Sequence, residues 1–144
     1  EYGMINDYTY LHDPRKVNDS RWVHRCRKRW EAKEDLADLD TIEWRFFRET
    51  AKLFNLRKQL PALYNGGMEV VETGNPHLFA FLRAHAEQRL LVVTNFSETD
   101  QQLHPRFVVP WVPGGEALDH LTGTRITVAD GLTLEHHRAV WLEV

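Results

Sequence analysis

Histidine, arginine and carboxylate side chains are the groups in this sequence able to bind a metal, move protons or grip a charged ligand, and their spacing decides which use is open. Eight His residues are present. None pairs with another at the helical i, i+4 step or in a compact Cys/His arrangement, the spacings that converge on a zinc ion. His136 and His137 are neighbours, and in or beside a strand neighbouring side chains leave opposite faces. Neither a metal nor a cofactor is expected. Arg25, Arg27, Lys28 and Arg29, flanked by Trp22 and Trp30, have the make-up of a nucleic-acid patch, in which cations meet phosphates while rings stack on bases. Glu31, Glu34, Asp35, Asp38 and Asp40 follow at once and cancel that charge, so a solvated, internally paired surface is expected instead. Asn95-Phe96-Ser97 matches the glycosylation triplet but reads as turn chemistry at a strand end. Trp111 and Tyr64 are of a type that stacks on sugar rings, although an aromatic beside proline more often packs.

One cluster remains: Asn6-Asp7-Tyr8, followed by Asp19-Ser20-Arg21-Trp22-Val23-His24-Arg25. Asp, Arg, His and aromatic groups on one loop can offer a neutral polyol both hydrogen-bond forks and stacking faces. The same residue types also build purely structural ion-pair networks. For Arg21 the structural alternative is a salt bridge with Asp19 or Glu31.

These residues lie in a polar, aromatic zone over 1 to about 40, without sustained periodicity, which reads as an ordered loop with short helical pieces. Asn6-Asp7-Tyr8, Asp13-Pro14 and Asn18-Asp19-Ser20 supply its turns and caps. A helix is predicted from about Thr41 to Leu60, with Asp40 and Glu43 as a capping box, Ile42, Phe46, Leu53 and Leu60 on one face, and Pro61 as its stop. That apolar face must pack on something. After Asn65-Gly66-Gly67 come short β-favouring runs: Met68 to Val71, Leu78 to Leu82, Leu90 to Val93, Gln101 to Leu103, Ala117 to Leu121, Arg125 to Val128, Leu132 to Leu134 and Val140 to Val144. Gly and Pro separate them. The predicted class is α+β, an N-terminal loop and helices followed by a small antiparallel β-sandwich.

The chain has 144 residues, 42% of them hydrophobic, enough for one compact domain or a small domain with a helical attachment. Its net charge of -3 gives no positive field of the kind that nucleic acid or an anionic membrane demands. The single Cys26 can form no internal disulfide, and with no signal-like start the expected location is cytoplasmic, with secretion left open. A chain opening on Glu1 reads as the interior of a longer protein.

The stretch Glu1-Tyr2-Gly3-Met4-Ile5-Asn6-Asp7-Tyr8 resembles the segment after the eighth barrel strand of amylosucrases, where a Gly-Asp-Glu strand end leads into Leu-Asn-Asp-Tyr. Asp19-Ser20-Arg21-Trp22-Val23-His24-Arg25 is similar to the Asp-Ser-Arg-Trp-x-His-Arg motif of the same family. Leu132-Thr133-Leu134 and Val140-Trp141-Leu142-Glu143 resemble its closing strands. Cys26-Arg27-Lys28-Arg29 departs from it, because related sequences commonly place Pro after the Arg.

The resemblance implies the carboxy-terminal part of a (β/α)₈, TIM-type barrel enzyme of the α-amylase superfamily. Residues 1-62 would be the end of the catalytic barrel, with loop eight and the last helix, and residues 63-144 the C-terminal β-sandwich domain. It implies a retaining glucosyltransferase that cleaves sucrose, releases fructose and passes glucose to an α-1,4-glucan, a sucrose hydrolase being the alternative. Retaining transfer needs two carboxyl groups about 5–5.5 Å apart. In this superfamily they stand on barrel strands four and five, so no catalytic residue is expected in this chain, and Asp7, Asp13 and Asp19 are assigned caps and loop pairings. Arg21 matches the Arg that helps close the sucrose pocket by pairing with an Asp from an early barrel loop. The partners implied are sucrose, α-glucan and the rest of the barrel. A rival of another class, a stand-alone carbohydrate-binding module, would need a row of exposed aromatics on one sheet face.

Overall fold

The computed structural model describes residues 6–25 and 41–144. The chain divides into two compact units between Phe54 and Asn55. In the first, two short 3-10 turns, Thr9–His12 and Ser20–His24, occupy the polar zone, as the turn residues predict.

Helix α1 spans Ile42–Gln59. The expected Asp40 cap lies outside the described residues. Within them, the Thr41 hydroxyl accepts from the Trp44 N–H at 3.2 Å, the bond an N-cap residue makes. At the other end Leu60 turns extended, φ −106° and ψ 98°, because the ring of Pro61 crowds the helical conformation of the residue before it. Of the predicted stripe, Ile42, Phe46 and Leu53 are exposed, by 67%, 54% and 41%, and only Leu60 is buried. A second set of apolar residues, Trp44, Phe47, Ala51 and Phe54, lies on the other side of the helix, with Trp44 and Phe47 stacked at 5.7 Å.

Helix α2, Pro61–Asn65, is too short to stand alone and is held by side chains of the sheet. Gln88 Oε1 accepts from the Ala62 N–H at 3.1 Å, while Arg83 donates through Nε to the Ala62 carbonyl at 3.0 Å and through Nη2 to that of Leu63 at 3.2 Å. Gly66 closes α2, and a Cβ there would collide with the carbonyls of Ala62 and Ala84.

The strands are β1 Gly67–Val71, β2 Leu78–His85, β3 Gln88–Asn95, β4 Gln101–Leu103, β5 Glu116–Asp119, β6 Thr124–Thr127, β7 Leu132–Leu134 and β8 Ala139–Glu143. Each matches a run expected from the sequence. Six form an antiparallel sheet in the order β1-β2-β3-β8-β5-β6, and β4 pairs with β7 in a second, two-stranded sheet. Alternation decides the faces. Leu82, Leu91 and Leu142 lie in register across β2, β3 and β8, as do Ala80, Val93 and Val140, and all are buried. Leu103, Leu132 and Leu134 of the small sheet pack into the same core. The opposite face carries Leu90 and Trp141, which pack with Leu60 and Ala62. A short helix the sequence did not announce, α3 Pro105–Val108, adds Val108 to the main core, and Val112 follows it there.

Candidate functional site

In the loop over residues 6–25, three aspartates repeat one local device. Asp7 Oδ1 accepts from the Thr9 N–H at 2.8 Å, Asp13 Oδ1 from Arg15 at 3.0 Å, and Asp19 Oδ1 from Arg21 at 3.1 Å. A short carboxylate satisfying the amide two residues ahead is the physical reason Asp begins turns. Two of the three then grip the side chain of that residue as well. Asp13 binds Arg15 through Nε and Nη2, both at 3.1 Å, and Asp19 binds Arg21 through Nε at 2.8 Å and Nη2 at 2.9 Å. Such two-point forks fix a guanidinium in direction as well as in place.

Each carboxyl titrates below its ordinary range. For Asp19 the largest cause is the hydrogen bond from the Arg21 side chain, and for Asp13 that from Arg15. For Asp7 it is the Thr9 side chain, followed by the Thr9 N–H. In return Arg15 and Arg21 are held more firmly protonated than usual by their aspartates. These carboxylates are ionised and engaged, which suits caps and pairings rather than proton transfer.

Longer links close the loop. The Asp7 N–H donates to the Val23 carbonyl at 2.9 Å, and His24 Nδ1 lies 3.0 Å from Asn6 Oδ1 across a separation of 18 residues. Above Trp22 sit two cations, Lys16 Nζ at 4.5 Å and Arg25 Cζ at 5.7 Å from the ring centre, an arrangement the ring quadrupole favours. Arg21 therefore stands on a turn tied at both ends, with its side chain 73% exposed. The Asp19 pairing weighed for it from sequence is present. Among the described residues Arg21 engages Asp19 by its Nε–Nη2 edge and leaves the Nη1 edge open.

The other candidates resolve as follows. No described group of three His, Cys, Asp or Glu residues could hold a metal ion. His136 and His137 meet edge to face at 6.1 Å, with Asp100 Oδ1 3.8 Å from His136 Nδ1. Asn95 is 1% exposed, and its amide donates to the carbonyls of Thr99, Leu134 and Glu135 while accepting from Ser97, so it is turn chemistry and out of reach of a glycan. Trp111 packs against the core and Tyr64 is exposed. The basic and acidic residues from Cys26 to Asp40 lie outside the described residues. No helix among those described is long and apolar enough to cross a membrane. Two polar hubs went unforeseen. Besides Asn95, the fully buried Asp119 accepts from the Leu121 and Trp141 N–H groups at 3.1 and 2.9 Å and from the Thr122 hydroxyl at 2.8 Å. Neither stands in a pattern that marks burial.

Short helices followed by this six-stranded antiparallel sheet, backed by a two-stranded one, make a fold that recurs as part of larger solved proteins. An Anoxybacillus α-amylase superposes with a TM-score of 0.58 at 20% identity, over 73% of this chain and 23% of that one. A MutB mutant solved in complex with the substrate sucrose superposes with a TM-score of 0.50 at 19% identity, over 64% of this chain and 16% of its own. The chain belongs to the amylosucrase C-terminal domain family, whose family model matches residues 69–143. Among curated relatives, palatinase of Erwinia rhapontici is 38% identical over 68 residues, 47% of this chain and 12% of that protein. A probable oligo-1,6-glucosidase 2 of Bacillus subtilis (strain 168) is 40% identical over 47 residues, 33% of this chain and 8% of that protein. The chain thus corresponds to about a tenth of the length of these relatives.

Proposed function

We propose that this chain is the carboxy-terminal part of a retaining glucosyltransferase that cleaves sucrose, releases fructose and transfers the glucosyl unit to the end of an α-1,4-glucan. Residues 1–62 are the end of the catalytic barrel and residues 63–144 the β domain behind it. The observation that carries the reading is the Asp19–Arg21 fork on a closed loop: a planar cation aimed by one carboxylate, with its Nη1 edge left for a second carboxylate or for sugar hydroxyls. Sealing a pocket with that second contact makes it blind, which suits a substrate as short as a disaccharide. Membership of the amylosucrase C-terminal domain family supports the choice of sucrose, as does the likeness to a protein crystallised with it. Apolar residues on two sides of α1, with Ile42, Phe46 and Phe54 more than half exposed, support the presence of further protein around that helix.

The chemistry divides accordingly. Of two carboxyl groups on upstream barrel strands, one attacks the anomeric carbon and holds the glucosyl group covalently while the other protonates the departing fructose oxygen. Arg21 grips the glucosyl hydroxyls at the closed end of the pocket, Asp19 keeps it in position, and the β domain is scaffold. In the longer enzyme Arg21→Ala should lower kcat/KM for fructose release by about 100-fold, the size of a lost charged hydrogen bond or two, with thermal stability kept. Unchanged kinetics would remove Arg21 from the site. The ratio of glucan to free glucose among the products separates transferase from hydrolase.

A stand-alone carbohydrate-binding module draws on one observation, the Phe79 and Phe81 rings 5.6 Å apart on one face of β2. Calorimetric titration of the chain with glucan decides it, since heat of binding that is lost in Phe79→Ala would favour the module.

A further inference from the structure

We infer that Asn6 and His24 form a clasp that positions Arg21, a role that rests on the sucrose-pocket reading above. Within the loop the hydrogen bonds of Asp7, Asp13 and Asp19 are local, reaching two residues ahead, and local bonds shape a turn without placing it. Placement comes from the two links that join its ends, Asp7 N–H to the Val23 carbonyl at 2.9 Å and His24 Nδ1 to Asn6 Oδ1 at 3.0 Å. The first is backbone to backbone and indifferent to sequence. The second is the only side-chain bond across the loop among the described residues, and it ends on the same 3-10 turn, Ser20–His24, that carries Arg21.

A one-turn helix anchored at a single backbone point can swivel about it; a second anchor removes that freedom. Arg21 and His24 stand three residues apart, which on a 3-10 turn puts them on the same edge. Fixing the imidazole therefore fixes the azimuth of the guanidinium. The Asp19 fork sets the Arg21 side chain relative to its own turn, and the clasp sets that turn relative to Asn6 at the other end of the loop.

The chemistry of the bond is directional. The Asn6 carbonyl oxygen can only accept, so Nδ1–H of His24 donates, and in the neutral ring Nε2 is left as the free acceptor. A donor is needed at the δ position of the side chain. Asn carries an N–H there, and Gln carries it one bond further out.

The test is carried out in the longer enzyme with sucrose and fructose release as the readout. His24→Gln and Asn6→Ala should each lower kcat/KM by about 10-fold, whereas His24→Asn should stay within about 2-fold of the parent, rescue by the correctly placed donor. Because the clasp acts through Arg21, His24→Gln introduced into an Arg21→Ala background should cost nothing further. A merely structural role would instead lower activity and melting temperature together and by the same factor in both backgrounds, and that overturns the clasp. Equal activities for His24→Asn and His24→Gln overturn it as well. If Arg21→Ala leaves fructose release intact, the pocket reading itself falls. If Arg21→Ala abolishes release while His24→Gln does not reduce it, the clasp alone falls.

Discussion

Replacing Asn95 tests whether one buried amide joins the two sheets. It sits at the end of β3, 1% exposed, with its Nδ2 hydrogens shared among the carbonyls of Thr99 at 2.8 Å, Leu134 at 3.2 Å and Glu135 at 2.9 Å. Oδ1 accepts from the Ser97 N–H at 2.9 Å and the Ser97 hydroxyl at 2.8 Å. Leu134 belongs to β7, so the amide ties the large sheet to the small one. Asn95→Ala removes these bonds and strands the buried Leu134 carbonyl and the half-buried Ser97 N–H. Each of these two stranded bonds carries roughly 1 kcal/mol plus a desolvation penalty of similar size, smaller at Ser97, so the loss is about 3–4 kcal/mol. The Ser97 hydroxyl softens it, since the Thr99 carbonyl at 2.9 Å offers a second acceptor. Asn95→Asp is nearly isosteric but turns a carboxylate oxygen toward three carbonyls, which should cost at least as much at neutral pH. Protonation restores an O–H donor. The introduced acid is therefore favoured in its neutral form when folded, and the deficit of Asn95→Asp should shrink as pH falls toward 4 while that of Asn95→Ala stays put. Urea unfolding followed by tryptophan fluorescence at both pH values measures this, and with m near 2 kcal/mol/M a loss of that size lowers the midpoint by about 1.5–2 M. A deficit below about 1 kcal/mol, or two variants with the same pH response, would refute the account.

Asp119→Ala should destabilise the β domain by about 3–5 kcal/mol, since it removes three hydrogen bonds to a fully buried carboxylate, that of the Trp141 N–H among them, whereas Asp119→Asn should cost about 1–2 kcal/mol. The milder figure follows because the Thr122 hydroxyl can turn to Thr124, 2.7 Å away, and the same urea midpoints distinguish the two. An NMR pH titration should find the Asp19 midpoint below the usual carboxylate range and moving upward in Arg21→Ala; with its folded value depressed, the fork is complete at neutral pH and is lost as pH falls through that midpoint. Arg15→Ala removes the Asp13 fork yet should leave fructose release within about 2-fold of the parent. A loss matching that of Arg21→Ala would show that the two forks are not distinguished by place.

What the sequence discloses follows how far apart the interacting residues lie. Some strands were legible because burial on one face imposes alternation, as at Leu78, Ala80 and Leu82, and the others as β-favouring runs that Gly and Pro break. Helix α1 was legible from its period and from Pro61. Helix α3 was not: four residues are too few for a period, and Pro105 reads as a breaker although it occupies the first turn, where its missing N–H is harmless. Asn95 was legible as turn chemistry at a strand end and Asp119 as part of a strand run, but the burial of both was not, since their types are usually exposed. What reverses that is donors and acceptors from β7, β8 and their flanks, some 20 to 40 positions away in the chain.

The candidate site divides along the same line. Asp7, Asp13 and Asp19 were assigned to caps because an Asx turn is decided within two residues, and all three make that bond. The spacing Asp-x-Arg even produces the fork, and produces it twice, at Asp13 with Arg15 as well as at Asp19 with Arg21. The fork by itself therefore cannot mark a binding site. What separates the two is context that spacing does not encode: Arg21 shares a 3-10 turn with His24 and Val23, the residues that tie the loop to Asn6 and Asp7, whereas Arg15 lies midway along it. Arg21 thus stands beside the residues that join the two ends of the loop, and Arg15 does not. The stretch Asp19 to Arg25, which resembles the amylosucrase motif, takes in the tied end and not Arg15.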